Sequence, residues 1–199
     1  MLQFPRSTVS RVIKPVVFAL SLVPFSLLVY AAVTDDLGAN PVEKLTHQTG
    51  LWGLYFLLIT LSITPLKNLT GLTWPVSLRR MLGLYAFFYA CLHLTVYFWL
   101  DQSFIWQGIV EDILKRPYIT MGLAAWILLL PLAITSNQFS MRLLKKNWKR
   151  LHRLVYIAAL LVVVHFIWLV KADYAEPFTY LGILLALLLM RTRILKWSS

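Results

Sequence analysis

A chain of 199 residues that is 59% hydrophobic and only 14% charged carries too few polar side chains to coat a soluble globule, so the lipid bilayer must act as part of its solvent. Its net charge of +11 would point to nucleic acid in a soluble protein. Here the basic residues flank apolar runs, and their simplest partner is anionic lipid headgroup rather than nucleic acid. Neither a G-x-G-x-x-G fingerprint nor a Walker A motif occurs, so NAD(P)H or ATP chemistry would belong to another protein.

Crossing ~30 Å of hydrocarbon takes about 20 apolar residues per helix. About six stretches qualify: Val16–Val33, Gly50–Leu66, Met81–Leu100, Ile119–Ile134, Leu154–Val170 and Phe178–Met190. The second, fourth and sixth are short unless their flanks are helical. The expected fold is therefore all-α, a polytopic membrane helix bundle, and with no linker or soluble insert it reads as one domain over residues 1–199.

The first stretch follows Arg6, Arg11 and Lys14, as the core of a secretory signal would. It is longer than a usual signal core and Ala31-Ala32-Val33 is a loose cleavage site, so it reads as an uncleaved anchor. Pro24 and Pro131 should kink helices one and four, Pro65 should close helix two, and Pro117 and Pro177 should precede helices four and six. His47, at the outer end of helix two, is placed to cap it or to meet water. The lone Cys91, in helix three, excludes an intramolecular disulfide and reads as a packing residue.

Between helices three and four, the loop Asp101–Pro117 interleaves Trp106, Ile109, Ile113 and Leu114 with charged residues. That spacing predicts a short helix on the outer membrane surface or a docking surface for a periplasmic partner. Trp99, Trp106, Trp168, Tyr174 and Tyr180 on one side, with Trp74, Trp148 and Trp197 on the other, form interfacial belts.

Charge sorts by side. With the N-terminus inside, the cytoplasmic segments hold Arg6, Arg11, Lys14, Lys67, Arg79, Arg80, Arg142, Lys145, Lys146, Lys149, Arg150, Arg153, Arg191, Arg193 and Lys196 and no acid. All 8 acidic residues fall in the outer loops, so both termini are expected in the cytoplasm.

Two histidines, His93 and His165, lie deep in apolar helices, where an ionisable side chain marks a functional site. Neutral imidazole is a common ligand of heme iron. Each follows a cytoplasmic position, Arg80 or His152, by 13 residues, which puts both about 20 Å from that side. Two histidines at one level match the two axial positions of a heme. The alternative is that both merely pack, bonded to hydroxyls or carbonyls of neighbouring helices.

His152 and His165, 13 residues apart, resemble stacked ligands on one helix, but on an ideal helix their rings point about 140° apart. His152 could instead meet lipid, quinone or flavin at the interface. Arg79, Arg80 and the Lys145–Arg153 cluster could neutralise heme propionates or a flavin phosphate. Positive-inside topology alone also accounts for them.

Taken together, Arg79-Arg80-Met81-Leu82-Gly83-Leu84, Leu92-His93-Leu94, Arg116-Pro117-Tyr118, Leu132-Ala133-Ile134-Thr135-Ser136, Trp148–Tyr156, Leu37-Gly38-Ala39-Asn40-Pro41 and His47-Gln48-Thr49-Gly50 resemble the bacterial MsrQ (YedZ) family over nearly the whole chain. The resemblance implies a heme-binding inner-membrane subunit of the periplasmic methionine sulfoxide reductase system, within the ferric reductase-like transmembrane superfamily. It also implies heme b, with FMN described in the family as well. The implied partner is MsrP, a periplasmic molybdopterin enzyme that reduces methionine sulfoxide in proteins. The implied electron source is the quinone pool or a cytoplasmic flavin reductase.

By position, His93, His152 and His165 match the family's heme-associated histidines. Where two-heme oxidases of the superfamily carry a second histidine on helix three, this chain has Arg79 and Arg80, so an inner heme on His152 lacks its expected partner. The expected mechanism is entry of electrons at the cytoplasmic basic face around Arg79, Arg80, His152 and Arg153, followed by relay outward through heme held by His93 and His165. Rival readings are a small transporter or channel with a histidine-lined path, and a redox-inactive anchor. Every acid lies outside the membrane, which argues against a proton-coupled carrier.

Overall fold

In a computed structural model, which describes residues 3–197, every regular element is a helix. Side chains of residue 6 and of residues 192–199 lie outside the description, so the expected placements of Arg6, Arg193, Lys196 and Trp197 fall there. The nine main helices are α1 (Lys14–Val33), α2 (Pro41–Thr70), α3 (Arg79–Val96), α4 (Trp106–Lys115), α5 (Pro117–Ile134), α6 (Gln138–Leu144), α7 (Lys146–Leu151), α8 (Leu154–Leu169) and α9 (Ala175–Trp197).

Five helical stretches are long and apolar enough to cross a membrane: Val9–Val33, Pro41–Thr70, Arg79–Asp101, Pro117–Ile134 and Lys146–Leu169. The sixth expected stretch, 178–190, falls within the 23-residue α9. The protein is thus an all-α polytopic membrane bundle. Two compact units divide it, Met1–Val96 with Leu187–Ser199, and Tyr97–Ala186.

In the first unit, α2 and α3 form an antiparallel pair. Helix α2 is far longer than its apolar run. Asn40 caps it, accepting from the backbone N–H of Glu43, and Pro41 takes the first turn, where a missing N–H costs nothing. The helix ends at Gly71, whose φ of 71° is the left-handed cap that glycine adopts without strain. Pro65 therefore does not close the helix but lies buried inside it, and His47 is an exposed residue of its second turn rather than a cap. Burial of Leu54, Leu57, Leu58 and Leu61 defines the face of α2 that meets α3.

An aromatic column joins these helices. Phe56 stacks on Tyr89 at 5.4 Å and on Tyr85 at 5.6 Å. Tyr89 has no exposed surface, and its hydroxyl reaches α1 directly after Pro24. There it accepts from the N–H of Phe25 at 3.1 Å and donates to the C=O of Ser21 at 2.8 Å. Those two groups would bond each other in a regular helix, so the phenol is inserted into the α1 ladder beside the proline. Tyr85 likewise donates to the Phe18 carbonyl at 3.0 Å.

In the second unit, α5 and α8 pair antiparallel across small side chains. Ala125, Ala158, Ala159 and Val163 are essentially without exposed surface, which is how helices approach closely in lipid. Helix α4 forms within the predicted outer loop. Its buried Asp112 receives Gln102 at 2.9 Å, Tyr97 at 3.3 Å and Arg116 at 3.1 Å, while Trp106, Val110 and Leu114 make an exposed stripe one turn apart.

Tyr89→Phe strips the bridge at α1 and should lower the stability of the detergent-solubilised protein by about 1–3 kcal/mol, measured by thermal unfolding. Tyr85→Phe, which removes one bond to one carbonyl, should cost about 0.5–1.5 kcal/mol. Equal effects of the two would contradict the bridging role.

Candidate functional site

His93 sits near the end of α3, beside the start of α2. Its Nδ1 lies 2.9 Å from the backbone carbonyl oxygen of Thr46. A carbonyl can only accept, so Nδ1 carries the proton and the ring lone pair is on Nε2. The ring rests on Gly50, where a Cβ would stand 3.0 Å from Nδ1.

His165 repeats this arrangement in the other unit. Near the end of α8, it donates from Nδ1 to the carbonyl of Tyr118 on α5 at 2.6 Å. A Cβ on Gly122 would stand 2.9 Å from that Nδ1. Each carbonyl lies 47 residues before its histidine, and each glycine 43 residues before it. Both glycines follow their carbonyl residue by one helical turn.

His152 has the opposite polarity. It ends α7, two residues before α8 begins, so 152 and 165 do not lie on one uninterrupted helix. Its Nε2 is 3.1 Å from Thr135 Oγ1. That hydroxyl donates its own proton to the Pro131 carbonyl at 2.6 Å, so it accepts from His152, which must carry hydrogen on Nε2. Trp148 fixes the ring by stacking on it at 4.0 Å, and its indole N–H donates to the Thr135 carbonyl at 3.0 Å.

The arginines are less engaged. Arg79 opens α3 and donates from Nη1 to Thr64 Oγ1 at 3.3 Å, while Arg80 and Arg153 are exposed. Among the described residues, no group of three or more His, Cys, Asp or Glu assembles to hold a bare metal ion. The donors on offer are single imidazoles with oriented lone pairs, which suits an iron already held by a macrocycle.

Sequence reading singled out His93, His165 and His152 but missed the groups that orient them. Thr46 and Gly122 went unremarked, Gly50 and Tyr118 entered only as members of family-like fragments, and Trp148 only as a belt residue and the start of such a fragment. The shared 43-residue spacing from glycine to histidine is the signal that would have found the first four.

Thr135→Val removes the acceptor of His152 at nearly constant volume. It should cost about 1 kcal/mol in thermal unfolding, and Trp148→Leu should cost more, since stacking and an indole bond go together. If Thr135→Val were neutral, the hydroxyl would not be holding the ring.

Residues 49–163, more than half of the chain, match the family described as ferric reductase like transmembrane component. A protein of Xanthomonas oryzae pv. oryzae is 56% identical over 188 residues, covering 92% of this chain and 86% of its own length. One from Xanthomonas campestris pv. campestris is 61% identical over 155 residues, covering 78% and 71%. One from Herminiimonas arsenicoxydans is 49% identical over 182 residues, covering 90% and 84%. All three are named protein-methionine-sulfoxide reductase heme-binding subunit MsrQ. No solved structure matches the chain. With a matched family over more than half of its length and relatives this similar over nearly all of it, the chain belongs to the MsrQ family of ferric reductase-like transmembrane proteins.

Proposed function

We propose that this chain is a heme b electron-transfer subunit of the bacterial inner membrane, working as one membrane domain over residues 1–199. It passes electrons to a periplasmic molybdopterin methionine sulfoxide reductase, MsrP, which carries out the reduction itself and so repairs oxidised protein. The observation that carries the reading is the shared polarity of His93 and His165, each giving Nδ1–H to a helix carbonyl and so placing its lone pair on Nε2, the atom that would ligate heme iron. Relatives named as heme-binding subunits support it.

When bound, heme supplies reversible one-electron transfer at its iron. His93 and His165 would hold the heme iron through their Nε2 atoms, and ligation by two imidazoles would favour electron transfer over oxygen binding. Both rings are half-buried in apolar helices, which would limit the access of water to a bound heme. At the basic end, Arg79, Arg80 and Arg153 attract an anionic or quinol donor and can pair with propionate or FMN phosphate oxygens. The donor is the quinone pool or a cytoplasmic flavin reductase. His152 holds the turn between α7 and α8 at that same end of the α5–α8 pair, close to where the donor delivers electrons. MsrP docks on the outer loops, with both termini of this chain in the cytoplasm.

The deciding measurement is a dithionite-reduced minus oxidised spectrum of detergent-purified protein, with heme counted per chain. Wild type should show a b-type band that is lost in His93→Ala and His165→Ala and kept in His152→Ala, because the Nε2 of His152 carries a hydrogen given to Thr135 Oγ1. A colourless wild type, purified with heme supplied, would sink the reading and leave a histidine-lined transporter or an anchor.

Topology is checked separately. Alkaline phosphatase fused after Asp36 or Asp173 should be active, and after Ser77 or Lys146 inactive. The reverse pattern would invert the proposed direction of electron flow.

A further inference from the structure

We infer that Gly50 and Gly122 are positioning residues that seat the two ligand imidazoles against helix carbonyls, a device built twice in this chain. The inference rests on the heme reading above and adds what sets the orientation and electron-donating strength of the ligands.

In an α-helix the carbonyl of residue i points toward the N–H of residue i+4. A ring that approaches the same oxygen from outside must pass the side chain of residue i+4, because that Cβ tilts back toward the preceding turn. Thr46 and Gly50, and equally Tyr118 and Gly122, are such i and i+4 pairs. With no Cβ at the second residue, the imidazole lies against the backbone and its Nδ1–H reaches the carbonyl at 2.9 Å in one pair and 2.6 Å in the other.

At these two positions the atoms that a Cβ would meet belong to a histidine ring. A Cβ on Gly50 would meet His93 at 3.0 Å from Nδ1 and 3.2 Å from Cε1. A Cβ on Gly122 would meet His165 at 2.9, 3.0 and 3.4 Å from Nδ1, Cε1 and Cγ. Among the other helical glycines, a Cβ on Gly108 would meet only the flexible amide end of Gln102, at 2.8 Å, and three more are open. A Cβ on Gly53 comes no closer than 3.6 Å to anything, on Gly83 no closer than 3.5 Å, and on Gly182 it meets nothing within 4 Å. Alanine at 53, 83 or 182 fits without movement. Alanine at 50 or 122 displaces a ring that is held by its hydrogen bond.

The consequence is electronic as well as steric. An Nδ1–H···O=C bond raises the basicity of the other nitrogen, which stabilises oxidised iron over reduced iron and fixes the ring plane. Pushing the ring off its carbonyl weakens that donation. Loss of such an orienting partner typically lowers metal-site affinity by about 10–100-fold.

The test is a set of alanine variants of the heme-loaded protein in detergent, read by midpoint potential and by the ferric low-spin EPR signal, both normalised to bound heme. Gly50→Ala and Gly122→Ala should raise the potential, move the largest g value and weaken heme retention by about 10–100-fold. Gly53→Ala, Gly83→Ala and Gly182→Ala should match wild type in all three. Wild-type potential and g values in both Gly50→Ala and Gly122→Ala would overturn the inference while leaving the heme reading intact. A wild type that binds no heme would instead remove that reading.

A second measurement needs no substitution at either glycine. In reduced, diamagnetic wild-type protein labelled with 15N-histidine, His93 and His165 should both show a hydrogen-bonded proton on Nδ1. A ring of either residue lacking that proton would overturn the seating even if the glycine variants failed to fold.

Discussion

Inside hydrocarbon no water replaces a lost hydrogen bond, so each buried polar group has to find its partner within the chain. Among the described residues, no buried side-chain nitrogen or oxygen lacks one. Much of the detailed geometry follows from that constraint. Thr46, Thr49, Thr60, Thr95 and Thr135 turn their hydroxyls back onto carbonyls of the preceding turn. Tyr89 has no such local acceptor, and its partner is the stretch of α1 that Pro24 interrupts. A proline that would weaken an isolated helix here becomes the place where another helix is attached.

The same constraint gives each half-buried imidazole a definite chemistry. A histidine facing a backbone carbonyl must hold its proton on the near nitrogen, and one facing a hydroxyl takes whichever role the hydroxyl leaves open. His93 and His165 fall in the first class and His152 in the second. Three histidines that look alike in the sequence are therefore unlike as ligands. The difference lies entirely in the atoms of α2 and α5 against which they pack.

Much of the architecture was legible because it is written in charge and apolar run length. Five of the membrane-crossing stretches and the helix within Asp101–Pro117 follow from these. What escaped was set by short-range chemistry that periodicity does not register. The stretch 41–49 is polar, so helix two seemed to begin near Gly50, whereas Asn40 and Pro41 start it earlier. Pro65 looked like a terminator, yet burial against neighbours lets a membrane helix carry proline in its interior. Gly50 and Gly122 carry no chemistry of their own. Their function appears only once the ring lying against each is known.

The two helix pairs also share a plan that neither shows alone. Within the first unit, α2 and α3 are joined at one end by His93 and Thr46 and at the other by Arg79 and Thr64. Within the second, α5 and α8 are joined at one end by His165 and Tyr118, and the approach to α8 is tied to α5 by His152 and Thr135. In the registry that aligns His93 with His165, His152 falls opposite Arg80. The histidine ends are alike down to the glycine, while the other ends carry an arginine in one pair and a donor histidine in the other. Within each unit the histidine end is fixed by a backbone carbonyl and a glycine that leaves room for the ring, whereas the other end is held by a side-chain hydroxyl, Thr64 in one pair and Thr135 in the other.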